Sequence, residues 1–466
     1  MIIFSGCGTQ RHAFIDNSVK NWQQIKKTDN KAIVHTLYLI GDAGALDNPE
    51  KGTNYVLEAV KNELDTSRGD ETLVFLGDNL YPKGLEASAN EDRSRGEKVL
   101  NAQLELANHV NGTTVFIPGN HDWKRGHKGG LRYILRQEDY VESYFDQNGP
   151  KVKMYPGHGC GDPKVMKINK DLVFIFLDTQ WWLQNWENEP GINRGCEVKS
   201  HTDLLHSIEE IFMDHKNDEI VVLMHHPILT NGNHGGNFSM KQHIFPLTDL
   251  NDRLWIPLPV LGSIYPLNRQ VSGHVQDVTH GKNKQIMQGI DQIAKRLRVD
   301  VIFASGHEHS LQYFENNKIK YVVSGSGAKH TYTAAGRNAL FTKEARGFAK
   351  IMFYEDFESW IEFYTVTGYD QEPVLEFRKQ LRVPRPGTIE EEVKFPDIPI
   401  RDTLVAANKN FLAGSFKSFL MGEQYREMWA TPVEVQTINL LEEHGGLTPI
   451  KKGGGMSSNS LRMEAQ

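Results

Sequence analysis

Five short apolar runs in this sequence each end in residues able to bind a metal ion. Leu37-Tyr38-Leu39-Ile40 leads into Gly41-Asp42-Ala43-Gly44, and the run 72–76 into Gly77-Asp78-Asn79-Leu80-Tyr81. Residues 114–117 precede Gly119-Asn120-His121-Asp122, 220–223 precede His225-His226-Pro227, and 301–304 precede Gly306-His307-Glu308-His309. Apolar runs this short read as buried strands, and open α/β sheets bind ligands just past the carboxyl ends of their strands. One Gly-Asp-Asn alone would be a turn. Five such stretches deliver Asp42, Asp78, Tyr81, Asn120, His225, His307 and His309 to one sheet edge. This mixture of hard oxygen donors and imidazoles suits hard or borderline transition metals. It is too large a set for one ion and sufficient for two.

The elements that must hold these residues alternate. Apolar spacing predicts helices over 54–64, 97–109, 131–145, 201–215 and 285–297, with Val99, Leu100, Leu104, Leu106 and Ala107 on the buried side of the second. Between them lie the strands 32–40, 72–76, 114–117, 220–223 and 301–304. The β-α-β alternation implies parallel sheets. Residues 151–177 read as two strand-like pieces ending at Asp178-Thr179, and 318–323, 348–354 and 360–366 as further strands. The expected class is α/β, with two sheets face to face and helices outside.

The five motifs, in this order, resemble the calcineurin-like metallophosphoesterases, and within them the purple acid phosphatases. The generic superfamily opens with Asp-x-His. Here the third position is Gly44, and Tyr81 stands three residues after Asp78, as in the purple acid phosphatase pattern. The stretches 77–84 and 306–313 look most like the small animal-type, tartrate-resistant enzymes. The resemblance extends over roughly residues 32–364 and implies a four-layer α/β/β/α sandwich. It implies Asp42, Tyr81 and His309 as ligands of a first metal, Asp78 as a bridge, and Asn120, His225 and His307 as ligands of a second. A tyrosine ligand favours Fe(III) in the first site, leaving Zn, Fe(II) or Mn for the second. The implied reaction is hydrolysis of phosphomonoesters by attack of a metal-bound hydroxide on phosphorus. A phosphodiesterase or nucleotidase on the same site is the alternative, and a non-catalytic, surface-anchored metal-binding protein is the contrasting class. Every ligand position and the phosphate-facing His121 are filled, which favours an enzyme.

Other residues carry two readings each. His121 either faces the phosphoryl group or orients a ligand. His234, in the Gly-rich stretch 231–236, is either a leaving-group acid or an exposed loop histidine. His226 reads as a neighbour of the site, Asp122 as a partner orienting a histidine, and Asp178 as a turn. The cluster Trp181, Trp182 and Trp186 reads as a loop anchor in the core. Residues 229–284 form an insertion without long periodicity, broken by Pro246, Pro257, Pro259 and Pro266; its apolar residues argue for a packed lid that sets substrate choice.

The whole chain has 466 residues, 39% of them apolar, and a net charge of −7. That supports a sizeable core and argues against general nucleic-acid binding, nucleotide substrates aside. No apolar run is long enough for a membrane-spanning helix. Residues 1–31 read as a tether, with Phe4-Ser5-Gly6-Cys7 resembling the end of a lipoprotein signal whose cysteine carries lipid. That reading places the protein outside the cytoplasm, in the periplasm or anchored to a membrane. Cys160 and Cys196 then remain as a disulfide or as two free thiols. The catalytic domain is expected over 32–380. Residues 381–466 read as a linker and extension, ending like the start of a further module.

Overall fold

The computed structural model describes residues 12–25, 31–67, 69–249, 251 and 253–384. Cys7 and the extension beyond 384, with the expectations attached to them, lie outside the described residues. In chain order the strands are β1 (Phe14–Ile15), β2 (Ile33–Ile40), β3 (Glu71–Phe75), β4 (Gly112–Phe116), β5 (Lys151–Met154), β6 (Lys164–Lys167), β7 (Leu172–Leu177) and β8 (Glu219–Met224). They continue with β9 (Val301–Ser305), β10 (Leu311–Asn316), β11 (Ile319–Ser324), β12 (Ala339–Lys343), β13 (Gly347–Tyr354), β14 (Ser359–Thr365) and β15 (Val374–Arg382). The helices are α1 (Tyr55–Thr66), α2 (Glu91–Leu104), α3 (Gly130–Glu142), α4 (Thr179–Leu183), α5 (His201–Asp214), α6 (Met240–Ile244), α7 (Leu261–Val271) and α8 (Gly281–Leu297).

The strands form two mixed sheets. One has the order β15-β14-β13-β2-β3-β4-β5, the other β1-β12-β10-β11-β9-β8-β7-β6. In the first, β2, β3, β4 and β5 run parallel. In the second, β7, β8, β9 and β11 do. Side chains alternate across a strand, so a strand buried on both faces reads as continuous apolar sequence. Leu37, Leu39, Val74 and Val115 pack between the sheets against Phe174, Phe176, Leu223 and Ile302. Tyr38, Ile40, Leu73 and Phe75 point the other way, toward the helices, as do Ile175, Val222 and Phe303 of the second sheet. Each fully buried side chain of this size contributes about 1.5–3 kcal/mol. This is the α/β arrangement of two face-to-face sheets with helices outside that the sequence leads one to expect.

The structure corrects several boundaries. Residues 375–382 do not leave the sandwich: the nine-residue β15 pairs antiparallel with β14 at seven positions. Leu375, Phe377 and Leu381 keep period 2, which the interspersed Glu376, Arg378 and Lys379 obscure. The region 151–177 yields three strands, β5 joining the first sheet and β6 and β7 the second. Part of the expected tether is docked: Phe14 and Ile15 pair with Thr342 and Phe341, and Trp22 is buried against Phe377. The insertion, read as lacking long periodicity, contains α6 and α7, the latter with Pro266 inside it. Cys160 and Cys196 form a disulfide. Among the described residues no helix is long and apolar enough to cross a membrane.

Candidate metal centre

The parallel strands of both sheets end at one edge, and the five motifs follow β2, β3, β4, β8 and β9. Hydrogen bonds cross between the sheets there: Gly41 N donates to Ser324 O at 2.7 Å, and His307 N donates to the Asp42 side chain at Oδ2, also at 2.7 Å. Asp42, Asp78 and His307 all adopt left-handed backbone, with φ of 58°, 52° and 66°. A non-glycine residue there costs roughly 1–2 kcal/mol. Each follows a glycine, and such strain persists only where the surroundings over-determine it. Gly77 is one glycine that cannot be replaced: a Cβ would lie 2.5 Å from His225 Nδ1, at a φ of 89°.

The expected ligands come together as two groups. Tyr81 Oη donates to Asp42 Oδ1 at 2.8 Å, and His309 Nε2 lies 3.2 Å from each of those two oxygens. In the second group His225 Nε2 is 3.0 Å from Asn120 Oδ1, 3.2 Å from His307 Nδ1 and 3.4 Å from Asp78 Oδ1. Ligands held about 2.0–2.2 Å from one ion sit roughly 3.0–3.5 Å apart, so both groups have the spacing of a coordination shell. Asp78 lies close to both, since its carboxylate also acts on the Tyr81 phenol. The donor set therefore fits metal cations.

Neighbouring groups orient these donors. His225 Nδ1 donates to Leu76 O at 2.8 Å, leaving the Nε2 lone pair toward the cluster. His307 Nε2 donates to Gln276 O at 2.9 Å, leaving Nδ1. His226 has no free nitrogen: Thr179 Oγ1 meets Nδ1 at 2.7 Å and Gln276 Oε1 meets Nε2 at 2.6 Å. Burial holds His226 and His307 far below the usual imidazole range, so both are neutral. Burial alone would raise Asp78, but His121 and His225 outweigh it and hold its carboxyl well below the usual range. Burial and the Asp42 and Asp78 carboxylates push the Tyr81 phenol up, so it stays protonated until a cation displaces its proton.

Asp122 does not orient a histidine. Its Oδ2 accepts from Gly119 N at 2.8 Å and from Asn79 Nδ2 at 3.0 Å, and Oδ1 accepts from Gln137. It pins the loops that carry Asp78 and Asn120, and burial pushes it up to about 7. Asp178 caps α4 through Trp181 N and accepts from Trp123 Nε1, while Trp181 and Trp182 are buried.

The solvent-facing side carries the proton-bearing groups. Asp42 and Asp78 are buried, whereas His121 and His234 are about one-fifth exposed at 20% and 23%. His121 Nδ1 donates to Pro82 O at 2.6 Å, and its Nε2 lies 3.8 Å from Asp78 Oδ2. The His234 ring packs on His307 at 3.9 Å between centroids, and its Nδ1 is 2.8 Å from Asp277 Oδ1. Arg269 also pairs with Asp277. Buried Glu308, between His307 and His309, accepts from His234 N at 2.9 Å and from Asn233 N at 3.2 Å, which fixes that loop. Lys329 Nζ stands 3.5 Å above the Tyr81 ring. Sequence reasoning missed Lys329, Asp277, Arg269 and Gln276. Lys329 directly follows the Gly-rich stretch 324–328, which was the available signal; the other three lie in the insertion, where nothing marked them.

Residues 35–311 match the family described as calcineurin-like phosphoesterase. The chain belongs to the calcineurin-like phosphoesterases. A metal-dependent phosphoesterase site is what this family places at that sheet edge, and the Asp and His donors described above lie there. Gly44 explains why Tyr81 replaces the superfamily's histidine. A Cβ at position 44 would lie 2.6 Å from Asp78 O and 2.9 Å from Tyr81 N, so the loop that brings in Tyr81 fills the space a histidine needs.

Solved structures of similar shape are distant. GAP50, the anchor in the inner membrane complex of Plasmodium, is 15% identical, with 77% of this chain and 91% of that chain covered and a TM-score of 0.47. Purple acid phosphatase PPD1 from yellow lupin is 13% identical, with 72% and 52% covered and a TM-score of 0.41; the match thus spans about half of that enzyme. A cold-active protein-tyrosine phosphatase from a Shewanella species is 11% identical, with 75% and 81% covered and a TM-score of 0.28. No curated protein matches the sequence significantly.

Proposed function

We propose that this phosphoesterase hydrolyses phosphomonoesters at a two-cation site formed by Asp42, Tyr81 and His309, bridged through Asp78 to Asn120, His225 and His307. The observation that carries the reading is the layering of the site: a buried carboxylate and imidazole cluster beneath a rim of His121, His234 and Lys329. Bound cations would supply Lewis acidity toward the phosphoryl oxygens and make water a better nucleophile near neutral pH. Lys329 and His121 add positive charge or hydrogen-bond donors where a phosphate dianion needs them. His234 donates a proton to the leaving oxygen from Nε2, because Nδ1–H is engaged by Asp277. Arg269, a donor only, pairs with both oxygens of Asp277 and cannot take that proton.

Tyr81 supports Fe(III) in its group, since phenolate is a hard donor, with Zn, Fe(II) or Mn in the other. The Cys160–Cys196 disulfide supports a setting outside the cytoplasm.

The test is kcat/KM on matched aryl phosphomonoester and phosphodiester substrates, with metal content measured in parallel. A large monoester preference is expected. Asp78→Asn should lose bound metal and at least about a hundredfold in kcat/KM, or about 2.7 kcal/mol of transition-state stabilisation. A diester preference would replace the reading with a phosphodiesterase. Metal uptake with no turnover on either substrate would replace it with a binding protein.

A further inference from the structure

Three consecutive residues just past His121 hold left-handed backbone: Lys124, Arg125 and Gly126, with φ of 55°, 57° and 74°. Only the last is a glycine, so the first two are strained. Strain of this kind persists where the surroundings impose it, and it gathers at functional sites. Here hydrogen bonds impose it: Lys124 N donates to His121 O at 3.0 Å, and Gly126 N to Trp123 O at 3.0 Å. Gly126 also stands against two buried amides, since a Cβ there would lie 3.2 Å from Gln180 Nε2 and 3.6 Å from Gln276 Nε2. Gln276 in turn holds His226 and His307, so the turn borders the candidate metal centre. The turn presents Arg125 at the mouth of that centre. Arg125 is exposed, and its side chain has no hydrogen bond or ion pair among the described residues.

The groups around Arg125 decide what it can bind. Burial holds His121 and Lys329 below their usual ranges, and the nearby Arg125 guanidinium lowers both further. Positive groups gathered at one mouth attract an anion. Glu189 meets the chain just beyond the turn, but its carboxylate is spent on the start of α3, accepting from Gly130 N at 2.9 Å and Leu131 N at 3.1 Å. Beside the turn, buried Gln276 Nε2 has no hydrogen-bond partner among the described residues, which leaves an amide donor unspent. A guanidinium fork and an amide N–H are both donors, and together they select an oxyanion. A phosphoryl group held by the cations, His121 and Lys329 leaves Arg125 for another part of the substrate. We propose that the turn 124–126 is a second anion subsite, where Arg125 and the Gln276 amide take an oxyanion carried by the leaving group. The substrates are then phosphomonoesters that bear a further phosphate or carboxylate. This rests on the phosphomonoesterase reading, and deepens it.

The test is calorimetric titration of the full, metal-loaded chain with non-hydrolysable probes: propylphosphonate, trimethylene and pentamethylene bisphosphonate, and phosphonobutanoate. At least one bisphosphonate should bind about tenfold or more tighter than propylphosphonate. Arg125→Gly suits the left-handed backbone, so the fold is kept, and it should erase that ratio. Arg125→Lys keeps the charge but loses the fork, and should retain only part of it. Phosphonobutanoate separates the two sources: binding as tight as a bisphosphonate admits a carboxylate, and binding no tighter than propylphosphonate restricts the subsite to phosphate. A parent without any preference, or a ratio that Arg125→Gly leaves intact, would overturn the proposal. Turnover of propyl phosphate is read separately. A preference for the second anion without any turnover would sink the reaction and leave the subsite standing.

Discussion

His307 Nδ1 lies 3.2 Å from His225 Nε2, and the opposite nitrogen of each ring donates to a backbone carbonyl, Gln276 O and Leu76 O. The two buried nitrogens therefore face each other and Asn120 Oδ1 and Asp78 Oδ1. They need a proton or a cation between them. Burial opposes a charged His225, but the Asp78 and Asp42 carboxylates outweigh it and push the imidazole up, so a buried proton must serve where no cation is bound. The backbone bonds hold both rings, so neither can turn away.

Removing the cations should therefore destabilise the fold as well as stop turnover. Chelation is expected to lower Tm, and restoring a divalent ion at about a thousand times its Kd should return about 4 kcal/mol of stability. In His307→Ala the response to added metal should shrink severalfold. Differential scanning calorimetry of the stripped and reloaded proteins checks both points. An unchanged Tm on stripping would mean that the pair is satisfied without an ion.

The exchange of a histidine for Tyr81 should not be reversible by one substitution. Gly44→His is expected to cost about 3 kcal/mol, the upper end of what forced overpacking costs, because its Cβ meets the backbone of Asp78 and Tyr81. With Fe(III) bound, the parent should show a visible tyrosinate charge-transfer band that Tyr81→Phe lacks. Absorption spectra and chemical denaturation read the two effects separately.

Asp277 should act through His234. Asp277→Asn keeps the shape but removes the charge that holds the imidazole, and is expected to lower kcat about ten- to hundredfold on alkyl phosphates. Aryl phosphates with good leaving groups need little proton donation and should lose much less. His234→Ala should show the same dependence on leaving group, and the double variant should be no worse than His234→Ala alone. Equal losses on both substrate types would indicate a merely structural role for the pair.

Glu219 gives a pH-dependent stability that is independent of the metal. Burial between β7 and β9 pushes it up to about 7 from 4.5, against the Ser359 hydroxyl and Arg382, which favour its ionised form. A carboxyl raised in the folded state contributes stability that is complete below its unfolded pKa and is lost as pH rises through the folded one. The interval corresponds to about 3 kcal/mol. The parent should thus lose stability relative to Glu219→Gln between about pH 4.5 and pH 7. Thermal melts of both proteins across that range check the sign.

Much of the fold, and the meeting of Asp42, Asp78, Tyr81, Asn120, His225, His307 and His309 at one sheet edge, could be read from the sequence, because both rest on local pattern. A strand buried on both faces must be apolar throughout, and a ligand at its end needs the glycine that Gly41, Gly77 and Gly306 provide. What was not legible depends on tertiary context. The strand β15 hides behind charged residues at a sheet edge. α7 hides behind Pro266, and no local signal marks Asp277 as the partner of a histidine forty-three residues earlier. Asp122 was misread because its partners, Asn79 and Gln137, are defined only once the loops meet.

The pairing of β13 with β2 bears on how the chain is made. β2 leaves the ribosome early and finds β3 within a few dozen residues, but its other edge is covered only by residues 347–354. For most of its synthesis the nascent protein thus exposes an apolar strand edge, which invites pairing with other chains. Sheet closure over so long a separation is slow. Expression yield should depend on holdase chaperones that cover this edge, more than the stability of the finished sandwich would suggest.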